Sequence, residues 1–166
     1  MFKTIQRIRE RQAGEREGGF TLIELMVVVM IIAILMAIAI PTFLNSRKRA
    51  QDSAARSNVR NGLAAAQSVY SETQKYVDVT VEKLTAEEPS LHFVASDAPS
   101  DAPKTISFLA AESGDTIYLT SLSDSGKCFA LRHSVAAGAT GGTFQAELTT
   151  CTADAASADA VTYTAL

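Results

Sequence analysis

The hydrophobic positions of this chain are concentrated in one uninterrupted block near its start. Residues 25–40 are sixteen consecutive residues without a polar side chain, and residues 20–44 are apolar apart from a few positions such as Glu24. As a helix, residues 20–44 would be about 37 Å long, whereas the hydrocarbon layer of a bilayer is about 30 Å thick. We expect this segment to be a helix that a membrane or other helices cover on every side.

A second helical pattern follows directly and is apolar on one side only. It predicts an amphipathic helix over residues 45–74, whose apolar face comprises Val59, Leu63, Ala66 and Tyr70, with Ala50 and Ala54 in the preceding turns. Pro41 removes one backbone hydrogen bond and is expected to kink the helix without ending it. Gly62 weakens the helix by about 1 kcal/mol relative to Ala. Asp52 and Arg56 can form an ion pair across one turn.

From residue 105 onwards the hydrophobic period changes to two. Four alternating runs predict strands at Thr105–Ala110, Thr116–Leu122, Lys127–Ser134 and Thr143–Leu148. Short links between them predict an antiparallel meander with one apolar face packed on the amphipathic helix. The expected inward residues are Ile106, Phe108, Ile117, Leu119, Phe129, Leu131, Phe144 and Leu148.

The expected fold class is therefore α+β. A long N-terminal helix, half transmembrane and half amphipathic, packs on a small antiparallel sheet of about four strands. Residues 75–104 are predicted to be a connecting loop in which residues 91–94 are a further strand candidate. Residues 105–166 form the sheet and the C-terminal tail, and the tail from residue 152 is expected to be exposed.

The charges are distributed unevenly along the chain. Residues 45–64 carry five Lys or Arg and one acidic residue, whereas residues 65–166 carry five and thirteen. The acidic distal half argues against general nucleic-acid binding, which needs a basic surface. The cluster Arg47, Lys48 and Arg49 has two interpretations, a solvated helix face or a contact with acidic regions of neighbouring subunits.

Cys128 and Cys151 form an even pair beyond the apolar block. Metal ligation with His133 or His92 is the alternative to a disulfide, but the sequence has no short-spaced ligand pair. We therefore expect a disulfide that closes the C-terminal region, with a contribution of about 3 kcal/mol. We expect no metal and no cofactor.

The sequence carries none of the common catalytic motifs, such as a P-loop, G-x-S-x-G or H-E-x-x-H. A site built from Ser134 with His133 or His92 is conceivable in any small domain. We expect a protein that is not an enzyme.

Residues 1–19 are polar, with five Lys or Arg and three Glu, and end in two glycines directly before the apolar block. They are predicted to be a cytoplasmic leader. A secretory signal has its small-residue cleavage site after the apolar core instead. Ala37 and Ala39 would supply such a site, so a cleaved signal is the competing interpretation.

The residues Gly19 to Glu24, with the sequence G-F-T-L-I-E, resemble the signature of the type IV pilin and pseudopilin superfamily. The resemblance covers the first third of the chain. It implies cleavage between Gly19 and Phe20 by a membrane-embedded prepilin peptidase, which also methylates the new amine of Phe20. Glycine lets a protease approach the backbone closely because it has no Cβ.

The resemblance also implies a role for Glu24, which would pair with the Phe20 amine of an adjacent subunit and set the register of assembly. Two local alternatives remain. An acid in the first turn of a helix is favoured by the helix dipole, and Glu24 could pair with the amine of its own chain four residues back.

The implied function is a structural subunit, the major pilin, of a type IV pilus that serves motility, adhesion or DNA uptake. The subunit would be stored in the cytoplasmic membrane as a single-pass protein and then polymerise into a homo-oligomeric, helical extracellular fibre. Its partners would be membrane lipid, the prepilin peptidase and methyltransferase, a membrane platform protein and an assembly ATPase. A pseudopilin of a type II secretion system is the first alternative, although the cysteine pair favours a pilin. A membrane-tethered binding domain or enzyme is the second.

Overall fold

The computed structural model of the chain describes residues 19–136, 141–158 and 161–166. Helix α1 spans Leu22–Thr73 and contains Pro41 within it, so the expected continuation of the helix is confirmed. The chain divides into two compact units, one ending at Leu44 and the other comprising Asn45–Leu166. Of the predicted leader, residues 1–19, only Gly19 belongs to the described residues.

In the first unit, every described residue is exposed. The exposed fraction is 84% for Phe20 and 65% for Met30, values that are unusual for large apolar side chains. By length and composition α1 could cross a membrane, and a signal sequence near the start of a chain would satisfy the same criterion. The transmembrane role of residues 20–44 therefore stays a prediction.

In the second unit, α1 buries one face of its C-terminal half, formed by Ala55, Val59, Gly62, Leu63, Ala65, Ala66 and Val69. Tyr70 is half-buried and packs against the same core. The expected face is thus largely correct, but Ala50 and Ala54 are exposed. The buried face begins instead at Ala55, which stands one helical turn before Val59.

The sheet has six strands in sequential order: β1 His92–Val94, β2 Thr105–Ala110, β3 Thr116–Leu122, β4 Cys128–Ser134, β5 Gly142–Leu148 and β6 Thr164–Ala165. The four predicted strands are β2 to β5, with the starts of β4 and β5 shifted by one residue. The sheet is mixed because β1 pairs parallel to β2, while the other neighbours are antiparallel. The expectation of a purely antiparallel sheet of about four strands was therefore incomplete.

Residues 75–104 are more ordered than the predicted loop. They contain a short 3-10 helix at Tyr76–Asp78, helix α2 at Val81–Glu87 and strand β1. Thr80 caps α2, since its side chain accepts a hydrogen bond from the Lys83 amide. These elements bury Tyr76, Val79, Leu84, Leu91 and Phe93 in the core, and each is too short to produce a clear hydrophobic period in the sequence.

The side of the sheet that packs on α1 carries most of the expected inward residues. Ile106, Phe108, Ile117, Leu119 and Leu131 share one core with the buried face of α1, and Phe129 is also buried. The expectation was wrong for β5, because Leu131 pairs with Gln145 and Arg132 pairs with Phe144. Phe144 and Leu148 therefore lie on the opposite side, where the Arg132 guanidinium covers the Phe144 ring at 4.5 Å.

The disulfide between Cys128 and Cys151 is confirmed, with 5.4 Å between the two Cα atoms. It is followed by helix α3, Ala153–Ser157, which lies against β2 and β3. The Ala153 amide donates a 3.0 Å hydrogen bond to the Ser107 hydroxyl. The tail is consequently not exposed throughout, since Ala153 and Ala156 are fully buried.

Ser100 ties the β1–β2 connection to the disulfide. Its amide donates to the Cys151 carbonyl over 2.8 Å, and its hydroxyl accepts from the Leu122 amide over 2.9 Å and donates to the Thr105 carbonyl. The side chain is buried with all these groups paired, as a buried hydroxyl requires. These bonds hold the ten-residue connection that makes β1 parallel to β2.

Gly62 lies on the buried face of α1, directly against side chains of the sheet. A Cβ added at this position would lie 3.3 Å from Cδ2 of Leu119 and 3.5 Å from Cγ2 of Ile106. An added Cβ would require the Leu119 side chain to shift by a few tenths of an ångström, so Gly62 serves the packing of α1 and is not simply a weak point of the helix.

We predict that Gly62→Leu lowers the free energy of unfolding of the second unit by about 1 to 3 kcal/mol, because the added side chain overpacks the core. Asn61→Leu is the matched control, since Asn61 is exposed and the change should stay within about 0.5 kcal/mol. Chemical unfolding of the full chain in mild detergent, followed by near-ultraviolet circular dichroism of the tyrosines, measures both. Equal stability of the two variants would contradict the packing role of Gly62.

Candidate functional site

The start of α1 is built around Thr21 and Glu24. The Glu24 amide donates to the Thr21 hydroxyl over 3.2 Å. In return, the Glu24 Oε2 atom accepts from the Thr21 amide over 3.1 Å and from the Thr21 hydroxyl over 2.9 Å. This reciprocal arrangement is a capping box, which satisfies amide groups that the first helical turn leaves without partners.

The capping box was not predicted from the sequence although its signal is present there. The pattern Thr-x-x-Glu directly before an apolar run is the signature of this motif, and Thr21 to Glu24 match it. Glu24 therefore has a local role at the start of the helix, in addition to the alternatives considered from the sequence. Its role in assembly stays a prediction.

Gly19 and Phe20 precede the helix in a non-helical segment, and both are exposed. Among the described residues, no atom beyond the chain neighbours of Gly19 lies within 4 Å of the position where a Gly19 Cβ would stand. The peptide bond that the sequence marks for cleavage is thus accessible and lies two residues before the first helical residue.

The basic cluster Arg47, Lys48 and Arg49 is exposed on α1. Within residues 19–136, 141–158 and 161–166, none of the three forms an ion pair. Both interpretations from the sequence, a solvated face and an assembly contact, remain predictions.

Asp52 does not form the expected ion pair with Arg56. Its carboxylate instead accepts hydrogen bonds from the hydroxyls of Ser123, over 2.8 Å, and Ser125. Burial opposes ionisation, but these bonds and the positive charges of Lys127 and Arg56 lower the pKa of Asp52 below its ordinary value. The effect is to fix the β3–β4 turn against the helix.

In the described part of the chain, other interactions occupy the two cysteines, Ser134 and His133. Both cysteines are oxidised, and no group of three or more potential ligands occurs in the described part of the chain. The Ser134 hydroxyl accepts a hydrogen bond from Thr116 over 2.9 Å. His133 lies 2.8 Å from the Tyr76 hydroxyl through Nδ1 and 3.2 Å from the Gln67 amide through Nε2.

His133 consequently connects three elements, namely α1, the 3-10 helix and β4. Burial lowers its pKa below the ordinary value of 6.5, and burial also raises the pKa of Tyr76 to about 12. At neutral pH both groups are uncharged, which suits a bond at the edge of an apolar core.

This shift predicts a loss of stability of the second unit on acidification. The pKa of His133 is lower in the folded than in the unfolded chain. The unfolded chain therefore binds more protons below about pH 6.5, and the free energy of unfolding decreases as the pH is lowered. We expect the melting temperature of the full chain in detergent to decrease between about pH 7.5 and about pH 5, above the range in which most carboxylates titrate.

His133→Gln should reduce that pH dependence, whereas His92→Gln, a change at an exposed position, should preserve it. A pH dependence that is unchanged by His133→Gln would contradict the assignment to His133.

The start of α1 lies in a segment that matches a known protein family. Residues 16–40 match the family described as "Prokaryotic N-terminal methylation motif". The matched segment includes Gly19, Phe20 and Glu24.

Two relatives of this chain are named as type IV pilus proteins. The chain is 45% identical over 71 residues to the type IV major pilin protein PilA of Myxococcus xanthus, a match covering 43% of this chain and 32% of that protein. It is 65% identical over 34 residues to the type IV wide pilus major component PilA4 of Thermus thermophilus, covering 20% of this chain and 26% of that protein.

The chain thus matches about a third or less of the length of each relative. No solved structure matches it significantly. The resemblance to type IV pilins, predicted from G-F-T-L-I-E, is confirmed by these matches.

Proposed function

We propose that this chain is a structural, non-catalytic subunit of a type IV pilus, with the role of a major pilin. One observation carries the proposal. An apolar helical segment, exposed on all sides within its own unit, begins with the Thr21–Glu24 capping box inside a methylation motif. A surface of this kind is stable in water only when something else covers it.

The same segment would occupy two environments in turn. Before assembly, lipid would cover residues 20–44 in the cytoplasmic membrane, with the second unit outside. After assembly, the corresponding segments of other subunits would replace the lipid in the core of an extracellular fibre. The length of the segment suits both, because about twenty apolar residues suffice to cross a bilayer.

Processing would release the helix start. A prepilin peptidase would cut between Gly19 and Phe20, where the backbone is exposed and non-helical, and would methylate the new amine. The capping box of Thr21 and Glu24 would then lie directly after the new N-terminal residue, Phe20, and would still cap the helix. The family match over residues 16–40 supports this step.

Glu24 would then act between subunits. A carboxylate inside an apolar span costs about 2.5 to 3.5 kcal/mol on insertion scales. The capping box provides hydrogen-bond donors to the Glu24 carboxylate, and the Phe20 amine of an adjacent subunit would neutralise its charge. A shifted register would leave both charges unpaired among apolar side chains, at a larger cost.

A pilus is favoured over a secretion pseudopilus by two observations. Both relatives are named as pilus components, and the C-terminal region is closed by the Cys128–Cys151 disulfide. The sequence has no P-loop, so we propose that a separate ATPase and a membrane platform protein drive assembly.

A set of three variants distinguishes the charge of Glu24 from its capping role. Glu24→Gln keeps a side chain that serves in a capping box but removes the charge. Thr21→Val removes the hydroxyl that caps the Glu24 amide and keeps the charge, and Glu24→Ala removes both functions of Glu24. We expect Glu24→Gln and Glu24→Ala to reduce the yield of sheared surface fibres at least about tenfold, and Thr21→Val to reduce it little.

Immunoblots of membranes should show all three variants inserted and processed. Normal fibre yield from Glu24→Gln together with loss of fibres from Thr21→Val would contradict the register role and leave only the cap.

A further inference from the structure

A cavity of about 200 Å³ opens between α1 and the last strands of the sheet, within the second unit. Its floor is apolar and includes Val59, Phe129 and Leu131, which are at most 4% exposed. Arg56 and Arg60 stand on the α1 side, and both are exposed. The cavity thus combines an apolar floor with two guanidinium groups.

The nearby Asp52 carboxylate offsets part of the charge of Arg56 without forming an ion pair with it. Arg56 stacks on the Phe129 ring with its Cζ atom 4.5 Å from the ring centroid. Glu147, the acidic residue that also lines the cavity, is paired with Lys127 over 2.9 Å. No ion pair to Arg56 or Arg60 is formed among residues 19–136, 141–158 and 161–166.

We propose that this cavity, which we name the Arg56–Arg60 pocket, receives an acidic side chain from a second copy of this chain. The inference rests on the proposed function, because a fibre brings copies into permanent contact. Charge complementarity identifies the occupant. Residues 45–64 carry five basic and one acidic residue, while residues 65–166 carry thirteen acidic and five basic residues.

The shape of the pocket favours a side chain over a free inorganic anion. The methylene groups of a Glu or Asp would cover Val59 and Leu131, and the carboxylate would reach the guanidinium groups. Arginine presents several donors in a plane and pairs with carboxylates through two parallel hydrogen bonds. A phosphate or sulfate ion would use the arginines and leave the apolar floor exposed.

Charge reversal tests the contact. Arg60→Glu in the full chain should lower the yield of surface fibres about tenfold, because it replaces an attractive contact by a repulsive one in every subunit. Lys104→Glu is the matched control, since it makes the same charge change at an exposed position that does not line the pocket, and it should assemble as the unaltered chain does. Both variants should keep the melting temperature of the unaltered chain.

Crosslinking identifies the occupant. A photoreactive amino acid placed at position 60 should, in intact fibres, crosslink to a peptide of another copy that contains Asp or Glu. Reversing that acid to Arg should restore fibre yield in the Arg60→Glu background. Fibres from Arg60→Glu at normal yield, or crosslinks only within one chain, would overturn the pocket contact and leave the proposed function standing. Absence of fibres from the unaltered chain would overturn both.

Discussion

The central physical constraint is an apolar surface that the described residues of the first unit leave exposed. Residues 20–44 carry large hydrophobic side chains that are half or more exposed at nearly every position, whereas a soluble monomer rarely exposes a continuous apolar patch of this size. The free energy of covering such a surface is roughly proportional to its area and does not depend on direction. Lipid and other copies of the helix can therefore both cover this surface. The proposed subunit, with a membrane-stored and a polymerised state, would need both.

The register between neighbouring helices must then be set by the few polar groups at the edges of that surface. Thr21 and Glu24 define where the helix begins, and the capping box holds the carboxylate at one position relative to the first turn. A positioned charge at the end of an otherwise uniform apolar helix allows one register to be favoured over others. The proposed contact of the Arg56–Arg60 pocket would add a second specific charge pair, located in the other unit.

The amount that could be predicted differed along the chain. Long periodic segments were predictable, because α1, β2 and β3 each repeat their hydrophobic pattern over enough residues to be recognised. It was not predictable which side of β5 faces α1. Alternation shows that Phe144 and Gln145 lie on opposite sides of the sheet but does not show which of them faces the helix. The helices α2 and α3 were missed because each spans seven residues or fewer and depends on tertiary contacts such as Ala153 with Ser107, whereas β1 lies within the strand candidate at residues 91–94. At the candidate site, Gly19, Phe20 and Glu24 came from a motif, whereas the packing role of Gly62 required the position of Leu119.

The most direct test of the central claim is the composition of surface fibres. Filaments should be sheared from cells that express the full chain, purified and analysed by mass spectrometry. The account predicts that this chain is the dominant subunit and that its first residue is a methylated Phe20. Recovery of the chain only from detergent-solubilised membranes, as a monomer with residues 1–19 still attached, would contradict it.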